Sequence, residues 1–251
     1  MAEFNYADGI AFTEAVEYAA ARGVVLPEIY YGLLVGIQKS QATTIAGLAS
    51  LEQIKFVIDL VTEALKDGTT FADFKKAVRK GDVNVNLPAH RLDNIFRTNI
   101  QTAYNRGRWE QQKKVSNSRP YLMYDAINDS RTRPNHTAMD GTVLHRDDPW
   151  WKTHYPPNGY RCRCTVIALT EAQARKRGIS GTPPDAETDD GWEFNPGIDY
   201  QVPLSKALDS FGADLVNENP RLHRAVEEAK ARIRSKADEA KSDRADAPKA
   251  K

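Results

Sequence analysis

Long hydrophobic runs are missing from this sequence: no stretch approaches the roughly 20 apolar residues that a membrane-spanning helix requires. The opening MAEFNYADG lacks the basic patch and apolar run of a secretory leader. Both absences point to a chain that folds in a cytoplasm with no membrane partner. Cysteine is nearly absent, with 2 residues in 251, which excludes a disulfide framework as the source of stability. Charge of one sign is missing too. With 35 basic and 34 acidic residues the net charge is +1, so total charge says nothing about nucleic acid. The remainder, 41% hydrophobic and 27% charged, has the make-up of a globular protein of one large or two small domains.

The first half is patterned for helices with clear punctuation. Phe12, Ala15, Val16, Ala19 and Ala20 follow helical spacing before Gly23, and Leu51, Ile54, Val57, Ile58, Val61 and Leu65 do so before Gly68. Thr70 is placed to cap a short helix containing Phe71, Phe74, Ala77 and Val78, with Asp73 near its positive end and Gly81 beyond it. After Pro88, a stripe of Leu92, Ile95, Phe96, Asn99, Ile100, Ala103 and Tyr104 predicts a long helix whose other face carries Arg97, Asn105, Arg106 and Arg108.

From Arg119 the texture changes. Short β-like runs at 121–127, 142–145 and 164–169 are separated by Pro, Asn, Asp and Gly. Thr170 then caps a short helix, EAQARKR, that Gly178 closes, and WEFNPG reads as an ordered turn. The end of the chain, KADEAKSDRADAPKAK, has almost no core-forming residue, so an exposed helix fading into disorder is expected there. The fold class is therefore α+β, in three parts: a helical N-terminal region over 1–85, a loop-rich small-β unit over 86–200, and a charged tail over 201–251.

Charge is unevenly distributed. Residues 97–119 hold six basic residues against one acidic, and residues 181–200 hold six acidic and no basic ones. Such blocks can serve partner docking, and the plainer reading is two solvated faces. The basic helix carries the candidate phosphate contacts, Arg97, Arg106 and Arg108.

The densest segment is 129–164, DSRTRPNHTAMDGTVLHRDDPWWKTHYPPNGYRCRC. It contains D-x-R-T-x-x-x-H-x-x-x-D-G through Asp129, Arg131, Thr132, His136, Asp140 and Gly141, then Pro156, Pro157, Asn158 and Gly159, then Cys162, Arg163 and Cys164. This order and spacing resembles the phage Mu F-like family of minor head (head-morphogenesis) proteins of tailed bacteriophages. The helix RTNIQTAYNRGRW and the later FNPG are similar to family elements as well, so the resemblance covers roughly residues 90–200. Many relatives carry C-x-x-C where this chain has Arg133 and His136. The resemblance implies a virion component without catalytic residues, located in the phage head and assembled in the host cytoplasm. Its expected partners are the portal protein, capsid or scaffold proteins and double-stranded DNA.

Zinc takes four ligands from Cys and His, and Cys162, Cys164 and His136 can supply three, with His154 or His145 as the fourth. Cys162 and Cys164, about 6.6 Å apart if extended, sit near the upper limit for a disulfide, so they read as reduced thiols or metal ligands. The alternative is that His136 bonds a carboxylate such as Asp140 while the cysteines pack as small hydrophobes. Asp129, Arg131, Asp140 and Gly141 read as a turn network in which Arg131 bridges carboxylates, rather than as an acid/base pair. Trp150, Trp151 and Tyr155 read as a satellite core. Two other functions compete with a structural role: a metal-dependent nuclease built on His136, His145, His154, Asn158 and the two cysteines, and a DNA-binding module built on the basic helix.

Overall fold

The computed structural model describes residues 51–198, together with Ala15 and two short strands, β1 (Val24–Val25) and β2 (Ala42–Thr43). These strands pair in parallel, Val24 opposite Ala42 and Val25 opposite Thr43. Apart from Ala15, which is helical and fully buried, the expected helix at 12–20 lies outside the described residues, as does the tail from 201.

Three helices form the first core. In α1 (Leu51–Asp67), Ile54, Val57, Ile58, Val61 and Leu65 recur every three or four residues and so share one buried stripe. α2 (Phe71–Lys80) starts where Thr70 accepts a hydrogen bond from the Asp73 amide at 3.3 Å, as the sequence predicts. α3 (Ala89–Lys114) contributes Leu92, Ile100 and Ala103 to the same core, with Phe71, Phe74 and Phe96 clustered at ring distances of 5.1 to 6.4 Å. Among the described residues, no helix is long and apolar enough to cross a membrane.

The second half of α3 leaves this core and lies on a three-stranded antiparallel sheet of order β4 (Val143–His145), β3 (Tyr121–Asp125), β5 (Thr165–Leu169). All three strands fall inside the runs expected from the sequence. Alternation along β3 sends Leu122 and Tyr124 to one face and Met123 to the other. The first face joins Leu144 and Val166 to Trp109, Trp150, Trp151 and Tyr155; the second packs Val143 and Leu169 against Ala174 of α6 (Glu171–Arg177). α6 begins with a capping box between Thr170 and Gln173.

β5 is an edge strand, and its outward carbonyls would be left in a dry interface without partners. Three amides of α3 meet the carbonyls along this edge, one within β5 and one on Cys164 just before it. Gln101 Nε2 and Asn105 Nδ2 donate to the Cys164 carbonyl at 2.9 and 3.1 Å, and Gln112 Nε2 donates to the Val166 carbonyl at 2.8 Å. Asn105, expected on the outer polar face, is therefore buried against the sheet. Gln112 Oε1 also accepts from the Tyr155 hydroxyl at 3.0 Å. Gln112→Ala leaves a carbonyl and a hydroxyl unpaired in the core, and each costs about 1–3 kcal/mol. A loss of roughly 2–4 kcal/mol in unfolding free energy is expected by urea denaturation; a change below ~0.5 kcal/mol would show that the edge of β5 is not held this way.

Candidate metal centre

Residues 126–164 contain two short helices that the sequence pattern did not mark, α4 (Pro134–Met139) and α5 (Trp151–His154). Each is less than two turns long, too short for a 3.6-residue period to show. α4 begins with Pro134 in its first turn, and its function is to aim His136 inward. Opposite it, the chain turns at Asn158 to Arg161 and runs extended into β5. In that extended stretch Cys162 and Cys164 face inward while Arg163, between them, faces out.

The three side chains meet. His136 Nδ1 stands 3.7 Å from Cys162 Sγ and 3.5 Å from Cys164 Sγ, and all three donor atoms lie within 4.8 Å of one another. The residues are 2%, 3% and 2% exposed, so solvent is nearly excluded. Both thiols are free. The Cys162 thiol is held well below its ordinary pKa, chiefly by a hydrogen bond from Cys164 and then by His136, while that same bond and burial push Cys164 up. Tyr124 closes the site from β3; its hydroxyl lies against Cys164 and donates to Asn158 Oδ1 at 2.8 Å, and burial, then the neighbouring thiols, push its pKa up.

His136 meets a carboxylate, but it belongs to Asp189 rather than Asp140. Asp189 Oδ1 is 3.8 Å from His136 Nε2, an atom that is buried with no hydrogen-bond partner. Asp189 Oδ2 pairs with Arg133 Nε at 3.1 Å, and Arg133 Nη2 donates to the Tyr160 carbonyl at 2.8 Å. One residue of the acidic block thus turns into the site instead of facing water. No pattern in the sequence links Asp189 to His136, because a loop contact leaves no periodicity.

The other candidate ligands lie elsewhere. His154 stacks on Trp150 at 4.6 Å, with Nδ1 facing the Thr153 hydroxyl at 2.8 Å and Nε2 facing the Ala186 carbonyl at 3.1 Å. Both its nitrogens are engaged, and it is not part of the cluster. His145 ends β4, exposed beside Asp147.

The polar residues around the cluster form two separate knots. Asp129 takes both arms of Arg163, with Nη1 donating to Oδ2 at 2.7 Å, and also accepts from the Arg131 amide at 2.9 Å. Asp140 accepts from the Ala126 amide at 2.8 Å and from Asn128 Nδ2 at 2.6 Å, next to Gly141, whose φ of +72° favours glycine. Arg131 reaches Asp129 alone of the two carboxylates, and the guanidinium that crosses the loop is Arg163. On α3, Arg97 pairs with Asp93 at 2.7 Å, Arg106 donates to the Pro196 carbonyl at 3.0 Å and pairs with Glu110, and Arg108 is half-buried. Trp150, Trp151 and Tyr155 are buried against Trp109 and Tyr124 in the core.

Residues 55–167 match the family described as Phage Mu protein F like protein, and this stretch of the chain is a member of that family. Two relatives carry the likeness further. The chain is 30% identical over 197 residues to "Putative capsid assembly protein F" of Escherichia phage Mu, an alignment covering 70% of this chain and 44% of that protein. It is 46% identical over 97 residues to "Mu-like prophage FluMu F protein" of Haemophilus influenzae, covering 39% of this chain and 23% of that protein. The chain thus spans less than half the length of either relative. No solved structure matches it.

The Asp129 knot has a pH signature. Arg163 first, then the Arg131 amide, hold the Asp129 carboxyl far below the usual range. A carboxyl depressed on folding adds stability above its unfolded pKa, and that stability is lost as pH falls through the folded value. The window lies below about pH 4. Asp129→Asn should therefore lower stability at pH 7 and flatten its decline between about pH 4 and 2. Parallel stability curves for the two proteins would show the ion pair to be inconsequential.

Proposed function

We propose that this chain is a structural component of a Mu-like phage head, acting in capsid assembly through contacts with the portal and with capsid or scaffold proteins. The identity over 197 residues to the phage Mu protein named for putative capsid assembly carries this reading. The geometry supports it. His136, Cys162 and Cys164 lie beneath the surface between α4 and the stretch entering β5, a position suited to fastening a fold and closed to a substrate. A nuclease built on the histidines has less support, because His136, His145 and His154 serve three different local structures.

Location tests the proposal. The protein is expected to co-purify with heads and procapsids in low stoichiometry and to be absent from tails. Quantitative mass spectrometry of separated heads and tails checks this, and recovery from host cytosol alone would overturn it.

Contact with packaged double-stranded DNA is part of the same reading, and it falls to Arg97 and Arg108. Arg106 is only 13% exposed and already holds Pro196 and Glu110. Arg97→Glu with Arg108→Glu should flatten the salt dependence of DNA binding by about one per lost phosphate contact. An unchanged slope would remove DNA from the list of partners.

A further inference from the structure

We propose that His136 Nδ1, Cys162 Sγ and Cys164 Sγ are ligands of a zinc ion that fastens the loops of this unit, with Asp189 orienting the imidazole from its far side. This rests on the geometry of the cluster and is independent of the phage-head reading.

Distance is the first argument. Zinc binds thiolate at about 2.3 Å and imidazole at about 2.05 Å, so the N···S edge of its tetrahedron is about 3.6 Å. The two N···S distances are 3.5 and 3.7 Å. Two edges of one tetrahedral face already stand at the required spacing, and the third, Sγ to Sγ, lies within 4.8 Å.

Charge is the second. Two thiolates neutralise one divalent cation, and Arg133 and Asp189 neutralise each other at 3.1 Å. The buried assembly with the ion in place is then electrically balanced.

The orphaned nitrogen is the third. An imidazole that ligates through Nδ1 carries its proton on Nε2, and such protons are regularly donated to a carboxylate. His136 Nε2 is a buried atom without a hydrogen-bond partner, and the Asp189 carboxylate stands 3.8 Å away, within reach of a small rotation of either side chain. Both nitrogens of His136 thereby acquire a use, and the tautomer is fixed.

The consequence is mechanical. His136 comes from α4, the two cysteines from the stretch entering β5, and Asp189 from the acidic segment that follows α6. Residues 126–141 bury few apolar side chains, His136 and Met139 being the buried positions of α4, so one ion at their meeting point replaces a core that this stretch lacks. Near-complete burial of all three ligands suits that role and not turnover of a substrate.

The test uses the full chain, purified without chelator. Elemental analysis, as purified or after one equivalent of Zn²⁺ is added and free ion removed, should find about one zinc per chain. Co²⁺ in its place should show the visible bands of a tetrahedral site and near-ultraviolet thiolate charge transfer, which weakens in Cys164→Ser. Should Cys164→Ser fail to fold, Asp189→Asn keeps every ligand and should weaken Zn²⁺ affinity about 10- to 100-fold in competition with a chromogenic chelator, with far-ultraviolet circular dichroism unchanged. Zinc well below one per chain after reconstitution, or thiols alkylated equally fast with and without Zn²⁺, would overturn the site. Unchanged affinity in Asp189→Asn would overturn the role given to Asp189.

Discussion

The unit depends on how α3 seals the open edge of β5. A three-stranded sheet leaves one side of its last strand with unpaired backbone groups, and those groups here face a helix instead of water. Gln101, Asn105 and Gln112 supply the missing donors, two of them to the single carbonyl of Cys164. That carbonyl belongs to a residue of the cluster, so the contact that closes the sheet also fixes the height at which the thiols enter the site. Helix, sheet edge and sulfur positions are set together.

Around this contact the chain uses the two-residue period of extended backbone to separate its chemistry. Cys162 and Cys164 point into the cluster; Arg163 points away and is clasped by Asp129. A shift of one residue would bury a guanidinium and expose two thiols, which costs far more than any one hydrogen bond contributes. The Asp129 knot therefore acts as a register lock. It anchors the loop before α4 to the strand that α4 faces, and the His136 contact with the thiols repeats the same crosslink on the inner side.

The parts legible in the sequence are those with a local physical cause. Caps at Thr70 and Thr170, the apolar stripes of α1 and α3, and the three strands each follow from residues close together in the chain. The meeting of His136 with Cys162 and Cys164 follows from their residue types, the donors that zinc takes, in loops with few apolar residues, and not from any period in the chain. What escaped depends on distant contacts. Asp189 comes from a segment that reads as a solvated acidic run. Arg106 looks like a surface cation until FNPG returns to offer the Pro196 carbonyl. Asn105 looks solvent-facing because it is polar, yet Gln101, Asn105 and Gln112 fall at i, i+4 and i+11, one face of a helix. An amide stripe of that spacing is the signal that marks a helix lying on a sheet edge.

The family match ends at residue 167, but the physical unit does not. Asn195 is fully buried; its Nδ2 donates to the Trp151 carbonyl at 2.9 Å, and its Oδ1 accepts from the Gly197 amide at 2.7 Å. Gly197 lies so close to the Trp109 ring that a Cβ has no room there. Arg106 reaches over to Pro196, and Asp189 completes the surroundings of His136. Each partner sits on α3, α4 or α5, within the matched stretch. Stopping the unit at β5 would leave the buried Trp151 carbonyl without its Asn195 donor, take Pro196 from Arg106 and Asp189 from beside His136, and uncover one side of Trp109. Residues 181–198 are thus an integral strap across the aromatic core, and the polar character of this segment reflects the hydrogen-bonding groups it must satisfy.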